Sequence, residues 1–323
     1  MSFNKKDIRK WSILGSRGTL GVTLLDLARR NDRILVLTGD LAITSGVERF
    51  RKELPDRFYN LGVAEQNMVN VAAGLASMGN TVFATTFSNF AAMRSYEQIR
   101  LSLGYNQANV KIVGLASGLA MGMFGISHYG IEDMALMRSM PGLMVVSPAD
   151  SLEVVKTVQS LSEIETPAYV RLTGGLNNPI VYKEDYDFSL GKGIVLREGE
   201  DLTIIATGSM LFESLRAADI LSEKGISATV VNIHTIKPID TILLKKIFSS
   251  TPFVVTVEEH SVIGGLGGSV AEQKSYYPNA PSQLMIGLPD RFDVVGEYSF
   301  LLRHFGLKSD QIAKKIIDAL NGK

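Results

Sequence analysis

Four side chains of types that do chemistry each follow a short apolar run in the first half of the sequence. Asp40 stands after residues 34–37, Glu65 after 57–59, Phe87 after 81–84 and His128 after 111–116. A carboxyl in the first turn of a helix is favoured by the dipole there, which is the ordinary reading of Glu65. Its neighbours Val63, Ala64, Met68 and Val69 are apolar, and burial among them would help the carboxyl share or retain a proton. Phe87 and Phe90, three apart, read as one face of a helix start. They are core packing unless a flat heteroaromatic ring lies against them in offset or edge contact. His128 can exchange protons near neutral pH. Asp40 follows Gly39 as turn-forming aspartates do, and Arg17 carries a planar donor fork.

The elements that must position these groups alternate between strand and helix periods. Buried-strand runs fall at residues 34–37, 57–59, 81–84, 110–115, 143–146 and 168–172, with helical patterns at 19–30, 64–78, 88–103, 131–140 and 151–161. Runs apolar on both faces and separated by helices imply a parallel sheet covered on each side. Residues 177–190 are polar, contain Pro179 and read as a linker; the alternation then restarts and runs to a helix over 309–320. Two successive α/β domains follow, over 1–176 and 191–323. Ligands of such sheets bind beyond the carboxyl ends of the strands, so Asp40, Glu65, Phe87 and His128 would share one rim.

Composition narrows the function. The 323 residues are 46% hydrophobic, with 33 basic and 33 acidic residues and no cysteine. Zero net charge without a basic block argues against nucleic-acid and membrane-surface partners. Disulfides, thiolate nucleophiles and cysteine metal sites are excluded. The polar start lacks a signal-peptide core, which makes a cytoplasmic location the expectation. Residues 112–131 carry no Asp, Glu, Lys or Arg, but five glycines among them indicate a strand and loop rather than a membrane helix. The turn Gly264-Gly265-Leu266-Gly267-Gly268 lacks the third glycine of a dinucleotide fingerprint. Glu258, Glu259 and His260 alternate across a strand and are not read as a metal set.

The stretch Phe58-Tyr59-Asn60-Leu61-Gly62-Val63-Ala64-Glu65-Gln66-Asn67-Met68, with Thr85-Thr86-Phe87-Ser88-Asn89-Phe90 beyond it, resembles the pyrimidine-binding domain of thiamine diphosphate enzymes, and transketolase most. The resemblance implies a parallel-sheet pyrimidine-binding domain followed by a smaller transketolase C-terminal domain with a mostly parallel sheet. It makes Glu65 the residue that touches the cofactor's aminopyrimidine, Phe87 the stacking ring and Phe90 a second pocket aromatic. Met93 stands where tyrosine is common. Gly39-Asp40-Leu41-Ala42 is similar to a turn whose aspartate lies near the cofactor. Ser127-His128-Tyr129-Gly130-Ile131-Glu132-Asp133 is similar to the segment whose histidine faces the reacting carbons. Leu14-Gly15-Ser16-Arg17 resembles a segment whose arginine binds a substrate phosphate. By the same resemblance Arg17, Thr44, Phe124, His128 and Arg171 are the expected substrate contacts, with Glu65 and His128 catalytic.

Some positions depart from that pattern. Phe124 stands where an aspartate would bind a substrate hydroxyl, Ala116 where a phosphate-contacting histidine is common, and no second arginine follows Arg171. The sequence also lacks the Gly-Asp-Gly of a diphosphate-binding domain, whose side chains hold magnesium in the family. The expectation is therefore a transketolase C-terminal subunit that uses thiamine diphosphate and Mg2+. The metal ligands would sit on an N-terminal partner subunit, in an assembly of two copies of each chain acting on sugars. A 2-oxoacid or acetoin dehydrogenase beta subunit shares the same domains, and a silent assembly subunit is the non-enzymatic alternative.

Overall fold

In a computed structural model, residues 3–322 are described, and Met1 and Ser2 of the polar start lie outside that range. The first half forms α1 (Lys5–Ala28), β1 (Ile34–Thr38), α2 (Glu48–Glu53), β2 (Phe58–Asn60), α3 (Glu65–Ser77), β3 (Thr81–Phe87), α4 (Tyr96–Ile99), β4 (Val110–Ser117), α5 (Asp133–Ser139), β5 (Met144–Val146), α6 (Ser151–Ser162) and β6 (Ala168–Thr173). The second half forms β7 (Ile194–Arg197), β8 (Leu202–Ala206), α7 (Met210–Ser222), β9 (Ala228–Asn232), β10 (Thr235–Lys237), α8 (Thr241–Ser250), β11 (Phe253–Ser261), α9 (Leu266–Lys274), β12 (Ser282–Leu288), α10 (Tyr298–His304) and α11 (Ser309–Leu320).

Every residue of β1 and β4 is buried, as expected for strands with helices on both faces. The larger sheet has the order β10-β5-β6-β4-β3-β1-β2 and the smaller β12-β11-β8-β9-β7. Pairs inside each are parallel except β10 with β5 and β7 with β9. Two α/β domains with mostly parallel sheets result, and the carboxyl ends of β1, β2, β3 and β4 share one rim.

The sequence boundary at 191 does not confine β10. Thr235 and Lys237 pair with Val146 and Val145, so a strand from the second half completes the sheet of the first. The bare edge of β5 is the reason: an unpaired strand edge presents free N–H and C=O groups, and β10 covers them. Lys237 Nζ reinforces the join by donating to the carbonyls of Arg138 and Met140. The linker is packed rather than loose. Val181 and Tyr182 N–H groups donate to Asp150 at 2.9 and 3.0 Å, and the Tyr182 and Tyr186 rings stack at 3.8 Å.

Helix α1 begins well before the expected residue 19. Asn4 caps it by accepting from the N–H groups of Lys6 and Asp7, and Ile8 and Trp11 pack on Leu152, Val155 and Tyr182. The helix breaks at Gly15, with φ 70°. A Cβ there would lie 1.8 Å from the Gly175 carbonyl oxygen, so only glycine lets the two backbones meet. Arg17 opens the segment that restarts beyond this break. No described helix is long and apolar enough to cross a membrane.

Candidate active site

Glu65 is the first residue of α3 and only 5% exposed, at the positive end of the helix. Its Oε1 accepts from Arg94 Nη1 at 3.1 Å. The Arg94 guanidinium lies over the Phe90 ring, 3.6 Å from its centroid. Phe90 meets Phe87 at 5.6 Å and His128 at 5.3 Å, and Phe87 meets His128 at 5.7 Å, all edge-on. Phe124 lies beyond His128, centroid to centroid 5.2 Å. One continuous surface therefore runs from a buried carboxylate through two phenylalanine rings to an imidazole.

Backbone geometry explains how these groups meet. Phe87 is the last residue of β3, not part of a helix start as the spacing suggested. Residues Phe90–Arg94 wind as a π-turn before α4, and Arg100–Tyr105 wind likewise after it. Such turns widen a helix locally and recur at functional sites. Here the turn carries both Phe90 and Arg94. His128 ends a short helical turn in the loop after β4, and Ser127 Oγ lies 3.0 Å from its Nδ1. That contact leaves Nε2 as the nitrogen available to a ligand.

Asp40 adopts φ 62° after β1. Asn60 Nδ2 donates to its Oδ1 at 2.9 Å, and the Asp40 N–H donates back to Asn60 Oδ1 at 3.0 Å, locking the ends of β1 and β2 together. Thr44 is half-buried in the same turn. Arg17 is half-buried, burial lowers its guanidinium below the ordinary value, and among the described residues it has no hydrogen-bond or ion-pair partner. Met93, Met123 and Phe124 are exposed at the rim. Thr86 Oγ1, Ser88 Oγ and Asn89 Oδ1 are buried without partners beside the Phe87 end of β3.

Residues 15–178 match the transketolase pyrimidine-binding domain, and 191–312 match the transketolase C-terminal domain. This chain belongs to the transketolase family. It is 39% identical over 308 residues to one of the subunits of an apulose-4-phosphate transketolase from Phocaeicola vulgatus, spanning 95% of this chain and 98% of that one. It is 41% identical over 301 residues to a 6-deoxy-6-sulfo-D-fructose transketolase subunit of Clostridium sp., spanning 92% of each. A solved structure described as a split gene transketolase, inactive beta4 tetramer, matches with a TM-score of 0.85 and 42% identity over 95% of this chain and 98% of that one. Within the transketolase family, this chain thus aligns over more than nine-tenths of its length with proteins named as transketolase subunits, and with a structure titled as a split gene transketolase.

One expected substrate contact needs correction. Arg171 is 1% exposed on β6, with its guanidinium engaged inside the protein. Its Nε donates to both oxygens of Asp133 at 3.0 Å, Nη1 to Thr173, and Nη2 to the carbonyls of Gly130 and Glu259 at 2.9 and 2.8 Å. Burial alone would lower this guanidinium, but the carboxylates of Asp133 and Glu259 outweigh it and hold it above its ordinary value. Arg171 ties the two domains together. His260 sits in the same seam, neutral, with burial pushing it down to about 4. Sequence reasoning missed Arg94, although its place four residues after Phe90 would put both on one helical face. It also missed Asn60 and Asn89, for which no spacing signal existed.

Proposed function

We propose that this chain is the C-terminal subunit of a two-chain, thiamine diphosphate-dependent transketolase that moves a two-carbon ketol unit from an anionic ketose to an aldose. The buried Glu65 carboxylate, joined through Arg94 to the cluster of Phe90, Phe87 and His128 rings, carries this reading. The residues fit the cofactor's ring. A hydrogen-bonding carboxylate stands at a helix start, aromatic faces lie beside it, and the buried Thr86, Ser88 and Asn89 oxygens lack partners. Glu65 would hold a proton against the far nitrogen of the aminopyrimidine, with Phe87 and Phe90 flanking that ring and Asp40 and Met93 at its margin. When bound, the cofactor supplies the carbon nucleophile.

The chain's own residues would then manage protons and charge. His128 Nε2 would exchange a proton with the substrate hydroxyl and carbonyl oxygens. Arg17, without a partner, would take the donor's anionic group through its planar fork. Phe124 beside His128 gives the donor side an apolar wall where the family pattern has a polar residue. The diphosphate grip and the Mg2+ ligands would come from a partner chain, in a two-plus-two assembly of the closed symmetry common among soluble oligomers. Support comes from relatives named as subunits of transketolases and from the exposed apolar rim of Met123, Phe124 and Ile126, a surface that suits burial against another chain.

The test is to purify this chain alone and together with a diphosphate-domain chain from the same genome, then measure thiamine diphosphate binding and ketol transfer. Activity and tight cofactor binding only in the mixture are the expected result. Full activity of the chain alone would defeat the two-chain reading. A mixture that decarboxylates a 2-oxoacid and leaves ketoses untouched would defeat the ketol-transfer reading.

A further inference from the structure

We infer that Glu259, from the second domain, is a positioning residue for the loop that presents His128. This inference rests on the ketol-transfer reading of the site. The loop leaves β4 at Gly118 and returns at Gly130, and those residues close it with reciprocal backbone hydrogen bonds of 2.7 and 3.0 Å. His128 lies two residues from that closure. Glu259 lies on β11, 1% exposed, beneath it.

The outgoing stem bonds the Glu259 side chain directly, and the returning stem reaches its backbone through Arg171. Glu259 Oε1 accepts the Leu119 N–H at 2.8 Å. Its backbone carbonyl accepts from Arg171 Nη2, the same nitrogen that donates to Gly130 on the returning stem. Its Oε2 accepts the hydroxyls of Ser209 and Tyr298, each at 2.6 Å, which fixes the carboxylate to the residue that precedes α7 and to α10. Space is as tight as the bonding. Gly118 has φ +68°, and a Cβ on it would lie 2.2 Å from Glu259 Oε1. Beside Gly130 on the returning stem, the Tyr129 hydroxyl donates to the Val294 carbonyl.

The carboxylate faces neither solvent nor the aromatic surface, and both its oxygens are taken by donors within the protein. It has no free lone pair aimed at a substrate, so its effect reaches the chemistry through the loop. A glutamine at this position keeps one oxygen for Leu119, while the Ser209 and Tyr298 hydroxyls turn to accept from its amide. An alanine removes the post. Misplacement of a reacting group by about 1 Å can reduce rate about 100-fold.

The experiment uses the assembled two-chain enzyme. Glu259→Ala should lower kcat for ketol transfer by about 10- to 100-fold, with KM and hydrogen–deuterium exchange at the cofactor's thiazolium carbon little changed. Glu259→Gln should restore most of kcat. In this chain alone, Glu259→Ala should speed amide exchange across residues 118–130. If Glu259→Ala fails to fold, Ser209→Ala with Tyr298→Phe unties the carboxylate from its far side and should loosen the same amides. Unchanged kcat with loop amides still protected would overturn the inference, as would equal loss of ketol transfer and thiazolium exchange. If the loop amides loosen as expected while the wild-type mixture shows no ketol transfer, the anchoring stands and the ketol-transfer reading falls.

Discussion

Replacing Arg171 with methionine separates its structural placement from the substrate contact that its position in the sequence suggested. The substitution strands the Asp133 carboxylate, which is fully buried and, among the described residues, keeps the Tyr169 hydroxyl at 2.7 Å and a neutral His260 ring nitrogen 3.9 Å away. Removing one partner of a buried ion pair destabilises proteins by about 3–5 kcal/mol. The carbonyls of Gly130 and Glu259 also lose their charged donor; Gly130 keeps the Gly118 N–H at 2.7 Å, so only the Glu259 carbonyl is open to the cost of about 1–3 kcal/mol for an unsatisfied group. Protonation of Asp133 and the apolar bulk of methionine offset part of this. A net loss of about 5 kcal/mol is expected, a large share of the 5–15 kcal/mol typical of a folded protein. Thermal unfolding of this chain alone should shift down by about 7 °C, from an unfolding entropy of roughly 2.1 cal/mol/K per residue. Urea titration should show the transition broaden as the two domains uncouple. A surface arginine awaiting a substrate would change stability by no more than about 0.5 kcal/mol. A midpoint for Arg171→Met that matches the wild type would refute the interdomain assignment.

Glu65→Gln in the assembled enzyme should remove most turnover, about 100- to 10,000-fold; steady-state rates within about twofold of wild type would sink its role. His128→Ala should depress ketose cleavage strongly while thiazolium hydrogen–deuterium exchange stays near normal, and a parallel collapse of both would move His128 to cofactor activation or structure. Glu258 is fully buried, and desolvation pushes it up to about 7, although the N–H groups of Leu266 and Gly267 pull the other way. A raised carboxyl keeps its proton in the folded state while the unfolded chain loses it, so this group lowers stability as pH rises from about 4.5 to 7. Glu258→Gln should flatten that slope by up to about 1.4 kcal/mol per pH unit, read as urea midpoints across the window; an unchanged slope would contradict the shift.

The parallel framework was legible because its strands are buried on both faces and read as short apolar runs. The rim was legible from the rule that ligands gather at the carboxyl ends of such strands. Arg171 shows where that reasoning misleads. A lone cation in Ala168–Thr173, a run otherwise without charge, signalled a buried partner rather than a ligand, because arginine is almost never fully buried unpaired. Helices α2 and α10 and strands β7 and β10 escaped notice because three to seven residues carry too little periodicity. The π-turn that presents Arg94 left no trace at all, since its sequence satisfies an ordinary helix equally well. Glu258 and Glu259 do point apart, the first capping α9 and the second reaching Leu119.

The crossing of β10 into the larger sheet bears on how this chain is made. On the ribosome β5 emerges long before its last neighbour, β10, so the growing sheet keeps an open edge until Lys237 has left the exit tunnel. The first domain therefore cannot close by itself in the usual amino-terminal-first order. A gene interrupted inside the linker would yield one product with a bare, aggregation-prone edge and another with an orphan strand. Synthesis as a single polypeptide keeps β5 and β10 at high effective concentration, and the pairing then costs the cell no search.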